Sequence, residues 1–223
     1  MNNLTVYDTK DALAEAVADA ISSDLREAVA ARDTATFVAS GGGTPKPAFA
    51  RLANDDRIDW TKVTVTLSDE RVAPPEAGVS NAEMLRTHLL HEHAASAHFT
   101  ALDSLSALDE LSRPFDVVLL GMGGDGHFAS IFPGGEGMSA AMAADAPVLV
   151  ATTPSPLPPE APYPRLSLSF EAIRTARHVI LMISGEGKRE VLERAASDDP
   201  AGDLPIRRLL RDESLPLSIH WAP

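Results

Sequence analysis

Four short apolar runs in this chain each end in a glycine-rich or polar cluster. That pairing leaves few folds open. Residues 36–39 (TFVA) run into Ser40-Gly41-Gly42-Gly43-Thr44-Pro45, and residues 63–67 (VTVTL) into Ser68-Asp69-Glu70-Arg71. Residues 115–120 (FDVVLL) run into Gly121-Met122-Gly123-Gly124-Asp125-Gly126-His127, and residues 179–183 (VILMI) into Ser184-Gly185-Glu186-Gly187-Lys188. Short runs of this kind predict strands. Helical patterns alternate with them, which predicts an α/β chain with a mostly parallel sheet covered on both faces. In an open parallel sheet the carboxyl ends of the strands share one edge, and ligands bind there. Loops from distant parts of the sequence are therefore expected to line one crevice.

The helical patterns are plain. Leu13, Val17, Ile21, Leu25 and Val29 recur at helical spacing and predict a packing helix. A second helix is expected over residues 45–53 and a last clear one over 188–196. Ser80 and Glu83 have the spacing of a capping box and predict a helix carrying Met84, Leu85 and Leu89. Residues 148–152, 166–168 and 217–220 read as further strands, and the segment after residue 67 as a polar loop. The stretch TPSPLPPEAPYP, residues 153–164, excludes a helix or a central strand. It reads as a connecting surface loop, with a wall beside the active site as the alternative.

The chain has 223 residues, 44% of them hydrophobic, which suits one domain over residues 1–223 with a full core. Its formal net charge of -13 argues against nucleic acid and anionic membranes as partners. The same charge repels a phosphorylated ligand, so a phosphate site must gather its own positive charge. There is no cysteine, which excludes disulfides, thiolate nucleophiles and Cys-ligated zinc. The N-terminus lacks the basic and apolar regions of a signal peptide, and no apolar run approaches the ~20 residues of a membrane span. A cytoplasmic protein is expected.

Each loop has its own chemistry. SGGGTP suits phosphate, because its glycines let backbone N–H groups converge and Pro45 suits a first helical turn. A tight strand-to-helix turn is the plain alternative. Gly121, Gly123 and Gly126 match GxGxxG, but the long helix and the acidic strand end of a dinucleotide site do not follow. His127, flanked by glycine at a strand end, is a candidate general base, with Asp125 to orient it. Lys188 opposes the dipole of the helix it opens, a penalty that bound phosphate would reverse. Arg71 and Arg165 are candidate anion contacts. Asp69 is suited either to substrate hydroxyls or to pairing with Arg71. His88, His91, His93 and His98 lack metal-site spacing and read as solvated helix-end residues. There is no GxSxG, hence no support for a serine esterase.

Taken in order, SGGGTP, SDERV with Ser80-Asn81, LLGMGGDGHFASIFPG, PRLSLS and SGEGKREVL resemble the 6-phosphogluconolactonase family. Phe128 stands where that family often carries Thr. Glucosamine-6-phosphate deaminases share the SGG and GxDGH loops, but continue toward Asn-Glu-Pro where this chain has FASIFPG. The resemblance implies a Rossmann-like three-layer α/β/α sandwich. It implies hydrolysis of a sugar-phosphate lactone without metal or organic cofactor, with water activated at His127 beside Asp125. Ser40, Gly42, Gly43, Thr44, Arg165 and Lys188 fall to phosphate and substrate binding, Arg71 with them, and Asp69 to the catalytic group. A monomer or weak homodimer is expected. The rivals are a deaminase or isomerase using Asp69 to move protons, and a non-catalytic sugar-phosphate sensor.

Overall fold

The structure, a computed structural model, describes residues 3–199 and 204–223. Its frame is a seven-stranded sheet in the order β1-β10-β9-β6-β2-β3-β5. The strands are β1 (Leu4–Val6), β2 (Ala35–Ala39), β3 (Val63–Leu67), β5 (His98–Phe99), β6 (Val117–Leu120), β9 (His178–Ser184) and β10 (Leu217–Ala222). Every neighbouring pair in it is parallel. β2 and β6 are buried along their whole length, as strands covered on both faces must be. Edge strands β1 and β5 carry no signal in the sequence, because each is too short for a pattern.

Helices close both faces. They are α1 (Lys10–Arg32), α2 (Lys46–Ala53), α3 (Asn81–His88), α4 (Met138–Ala141), α5 (Phe170–Arg174), α6 (Glu186–Ala196) and α7 (Ile206–Arg211). Thr9 caps α1 by accepting from Ala12 N at 3.1 Å. Leu13, Val17, Ile21 and Leu25 are fully buried, while Val29 is half-buried against the core. From β2 the chain steps outward to β3 and β5, then returns to β6 on the other side of β2 and steps away through β9 to β10. Right-handed crossovers running in opposite directions put their helices on opposite faces. The result is a three-layer α/β/α sandwich whose strand order reverses between β2 and β6. Among the described residues no helix is long and apolar enough to cross a membrane.

Two expectations need correction. The polar segment after β3 is not a loop. Asp69–Arg71 forms β4, which pairs antiparallel with β8 (Arg165–Leu168), and β8 with β7 (Leu149–Thr152). Strands β7 and β8 were legible as strands but belong to this separate three-stranded sheet. Ser68 joins the two sheets: its N–H donates to Ala39 O at 2.9 Å and its carbonyl accepts from Leu168 N at 2.8 Å. The second correction concerns α3. Ser80 Oγ does accept from Glu83 N, but the Glu83 carboxylate turns to Arg86 instead of closing the box. Glu70 takes that role, accepting from Asn81 N, Ala82 N and Ser80 Oγ at 2.8–2.9 Å.

Candidate active site

Strands β9, β6, β2 and β3 are consecutive neighbours in the sheet, so their four carboxyl-end loops meet at the point where strand order reverses. They enclose a cavity of about 270 Å³ lined from Ser40 to Pro45, and by Ser68, Asp69, Arg71, His127 and Lys188 among others. A neighbouring cavity of about 550 Å³ shares Asp69, Arg71, His127 and Ala129 with it. His127 therefore stands where the two meet.

The loop after β6 is built around its histidine. Gly123 N donates to His127 O at 2.9 Å and Gly126 N to Gly123 O at 3.0 Å, which curls the chain back on itself. Gly126 has φ +80, the left-handed region that favours glycine. His127 Nδ1 lies 2.6 Å from Asp125 Oδ1, and His127 N donates to the same oxygen. Burial pushes the Asp125 carboxyl up, but the hydrogen bond and charge of His127 and the backbone N–H bonds outweigh it. The group is held below its ordinary pKa. An ionised carboxylate only accepts, so Nδ1 is the donor, and it is Nε2 that carries the lone pair whenever the ring is neutral. The ring packs against Phe132, centroids 4.4 Å apart, which fixes its remaining freedom. Phe128 is fully buried and lines neither cavity, so its difference from the family's usual Thr does not touch the pocket wall.

Lys188 lies in the first turn of α6 and lines the smaller cavity. Burial lowers its pKa, and among the described residues its ammonium has no acceptor or acidic partner. Facing it is the SGGGTP loop, with Gly42 at φ +92. Neither α2 nor α6, the helices that open behind these loops, has a side-chain cap, and nor do α4 and α7; α1, α3 and α5 have hydroxyl caps. Uncapped N–H groups and a cation without a partner suit a bound anion.

Asp69 does not pair with Arg71. Its carboxylate accepts from Ser68 Oγ at 2.8 Å and from Ser130 Oγ at 2.6 Å. Ser130 was not singled out in the sequence, and neither was the role of Asn81. Asn81 is 1% exposed; its Nδ2 donates to Asp69 O at 2.9 Å, and its Oδ1 accepts from Arg71 Nη1. A Cβ on Gly41 would collide with this Asn81 side chain. Asn81 thus clamps the loops after β2 and β3 together. Only the Ser80-Asn81 pair quoted in the resemblance pointed toward it.

Arg165 is separated from Lys188. It lines the larger cavity, donating from Nη1 to Tyr163 O at 2.6 Å and from Nη2 to Ala161 O at 3.0 Å. The Pro-rich stretch is the other side of that cavity, through Pro154, Pro156, Leu157, Pro158 and Pro159. It is a wall beside His127, not a plain connection. Of the expected site residues, Ser40, Gly42, Gly43, Thr44, Asp69, Arg71, His127 and Lys188 line the smaller cavity, while Asp125 and Arg165 line the larger. His88 and His91 are half-buried and His93 and His98 exposed, all outside both cavities.

Known proteins match this architecture over its full extent. The family model described as glucosamine-6-phosphate isomerases/6-phosphogluconolactonase matches residues 8–219. The chain belongs to this family. A 6-phosphogluconolactonase of Rhizobium meliloti (strain 1021) is 41% identical over 233 residues, covering 99% of this chain and 99% of its own. One of Pseudomonas putida is 38% identical, covering 98% and 93%. The crystal structure of a 6-phosphogluconolactonase from Shewanella baltica OS155 is 37% identical with a TM-score of 0.91, covering 99% and 97%. A monomeric glucosamine-6-phosphate deaminase is 16% identical with a TM-score of 0.75 over 99% and 97%, a likeness of fold alone.

Proposed function

We propose that this chain hydrolyses 6-phospho-D-glucono-1,5-lactone to 6-phospho-D-gluconate, a step of the pentose phosphate pathway, with His127 as general base. The 6-phosphogluconolactonases that match it across nearly its whole length support the reaction. The observation that carries the mechanism is the Asp125-held imidazole lining a cavity whose ammonium, Lys188, has no partner among the described residues.

The phosphate docks on the N–H groups of Gly42 and Gly43, on Thr44 and on Lys188, with Ser40 in the wall behind. Its binding energy orients the lactone carbonyl beside His127. Nε2 takes a proton from water as the water oxygen bonds to C1. The C1–ring oxygen bond then breaks, and the imidazolium returns the proton to the departing oxygen. Asp125 stays ionised throughout and stabilises the imidazolium.

A coupled assay tests this. Glucose 6-phosphate is oxidised to supply fresh lactone, and 6-phosphogluconate formation is followed with the wild type and with His127→Ala. Acceleration by the wild type and a kcat about 10²- to 10⁴-fold lower in the variant is expected. No acceleration by the wild type overturns the reaction; equal acceleration by both discards the base. Lys188→Ala is expected to raise KM about tenfold or more with a smaller change in kcat. Ammonia release from glucosamine 6-phosphate in its place establishes the deaminase reading.

A further inference from the structure

Residues 184–188 read Ser-Gly-Glu-Gly-Lys, so the turn that leads to Lys188 has a glycine on each side of Glu186. Glycine loses more conformational freedom on ordering than any other residue, and such a turn does not by itself fix the direction of the helix behind it. Lys188 needs that direction fixed. Burial lowers its pKa and its ammonium has no partner among the described residues, so the path of α6 is what keeps it in the wall of the smaller cavity. The fixing comes from β10. Gly185 N donates to Ala222 O at 2.8 Å. Gly185 O, the carbonyl that starts α6 by accepting from Arg189 N at 3.3 Å, also accepts from Trp221 Nε1 at 3.1 Å. Both backbone polar groups of Gly185 are therefore held by the neighbouring strand. Trp221 is in turn fixed: it is 4% exposed, its carbonyl accepts from Tyr7 N at 2.8 Å, and the Arg189 guanidinium lies over its ring, 4.6 Å from the centroid. A buried indole N–H needs an acceptor, and here that acceptor is the first carbonyl of the Lys188 helix. Trp221 lines neither cavity.

We propose that Trp221 is a positioning residue for the anion site: through Gly185 it sets the first turn of α6, and with it the place of the Lys188 ammonium. The proposal rests on the reading of Lys188 as a phosphate contact. Trp221 stands opposite Ile183 in parallel register, two residues before Gly185, so the indole spans the point where β9 gives way to the turn. Lys188 follows Gly185 by three residues, about one turn of helix, and a tilt at the Gly185 carbonyl moves the ammonium relative to the SGGGTP loop it faces. Arg189, next in the chain, fastens the same helix to the face of the same indole. A cation held in place before the ligand arrives binds it at a lower entropic cost than one that must be ordered by it.

Trp60 is a matched control. It is 2% exposed and donates from Nε1 to a backbone carbonyl, Asp55 O, at 3.1 Å, but it precedes β3 and so stands at the opposite end of the strands from the crevice. Phe in place of either tryptophan deletes the same kind of hydrogen bond and keeps an aromatic ring. Calorimetric titration with 6-phosphogluconate, and with inorganic phosphate beside it, compares the two. Trp221→Phe is expected to weaken both ligands about fivefold, and Trp60→Phe to leave them within about twofold. Lys188→Met is expected to weaken both about tenfold or more. Adding Trp221→Phe to it then changes binding by less than about twofold, because the group it acts through is already gone. In lactone hydrolysis Trp221→Phe raises KM by the same factor as it weakens binding and leaves kcat within about twofold. Unchanged binding in Trp221→Phe overturns the proposal. So does equal weakening with and without Lys188, or equal weakening by the two tryptophan variants, which is the mark of a merely structural role. Wild-type affinity in Lys188→Met takes the phosphate away from that lysine and removes the proposal with the reading beneath it. The expected pattern of binding in a protein that fails to hydrolyse the lactone keeps the positioning role and removes the reaction.

Discussion

Gly123 and His127 share a space that only one side chain can fill. A Cβ on Gly123 would overlap the His127 imidazole and the Asp125 carboxylate, so the absent side chain is what lets the pair form. Gly123 does not lie in the left-handed region, so alanine is tolerated there by the backbone and refused only by the imidazole. Displacing a catalytic group by about 1 Å costs on the order of a hundredfold in rate. Gly123→Ala is therefore expected to lower kcat about a hundredfold while the thermal melt stays close to that of the wild type. Steady-state kinetics beside a circular-dichroism melt decide it; an unchanged kcat would show that the imidazole is not held where the reaction needs it.

Asp125→Asn asks a different question of the same pair. The carboxylate only accepts, which fixes the proton on Nδ1 and frees Nε2. An amide in its place can turn its NH2 toward Nδ1, favouring the other tautomer and protonating the nitrogen that acts as base in the proposed mechanism. The expected loss in kcat is about 10²- to 10⁴-fold, with KM little changed. Because His127 holds the Asp125 pKa below its ordinary value, the wild-type carboxylate is ionised through the whole neutral range, and the pairing is lost only as pH falls through that lowered value. A kcat for Asp125→Asn within a few-fold of the wild type contradicts the tautomer argument.

How far the sequence reveals this arrangement depends on how local each signal is. β2, β3, β6 and β9 are apolar runs closed by glycine or polar clusters, and a parallel sheet brings such ends together by topology alone. His127, Asp125 and Lys188 follow directly. β4 is Asp-Glu-Arg, with no apolar alternation, and becomes a strand only by pairing with residues almost a hundred positions away. Nothing near residues 69–71 reports that. The register that sets Arg71 opposite Arg165 was hidden for the same reason, although each was already a candidate anion contact. The Pro-rich stretch excludes regular structure by its own chemistry, but what it packs against is set by Arg165 holding Ala161 and Tyr163. Glu70 was overlooked because Ser80 and Glu83 supply the spacing of a complete cap, and local spacing does not show that Glu83 turns away.

Glu70 is expected to matter to stability more than its position in a polar segment suggests. It is 7% exposed, and its two oxygens accept from Arg71 N, Asn81 N, Ala82 N and Ser80 Oγ. Glu70→Ala strands these donors at the start of α3, where an N-terminal carboxylate also meets the helix dipole. A loss of about 2–4 kcal/mol is expected from urea unfolding. Glu70→Gln keeps the shape but replaces one acceptor by a donor facing N–H groups, and is expected to recover only part of that loss. Because Asn81 follows directly in the same turn, activity should fall in both variants even at temperatures where they remain folded. A change below about 0.5 kcal/mol for Glu70→Ala would place the helix cap elsewhere.

His220 governs the last prediction, at the opposite end of the chemistry. Its pKa is lowered from 6.5 to about 4, by burial first and by the charge of His178 second. Tyr7 OH lies 2.8 Å from its Nδ1 and Ser218 Oγ 3.1 Å from its Nε2, an arrangement for the neutral ring. Ser218 Oγ also lies 2.8 Å from Nε2 of His178, whose Nδ1 is 2.6 Å from Asp24. A depressed histidine pKa means the unfolded chain binds the proton more tightly than the folded one. The contribution is fully present above pH 6.5 and is lost as pH falls toward 4. Over that window it amounts to roughly 3 kcal/mol. Urea unfolding at neutral pH and near pH 4.5 should show the wild type losing about 2 kcal/mol more than His220→Gln, which has no proton to gain. Equal losses in the two proteins would mean that other groups carry the acid sensitivity and that His220 stays solvated enough to titrate as it does in the unfolded chain.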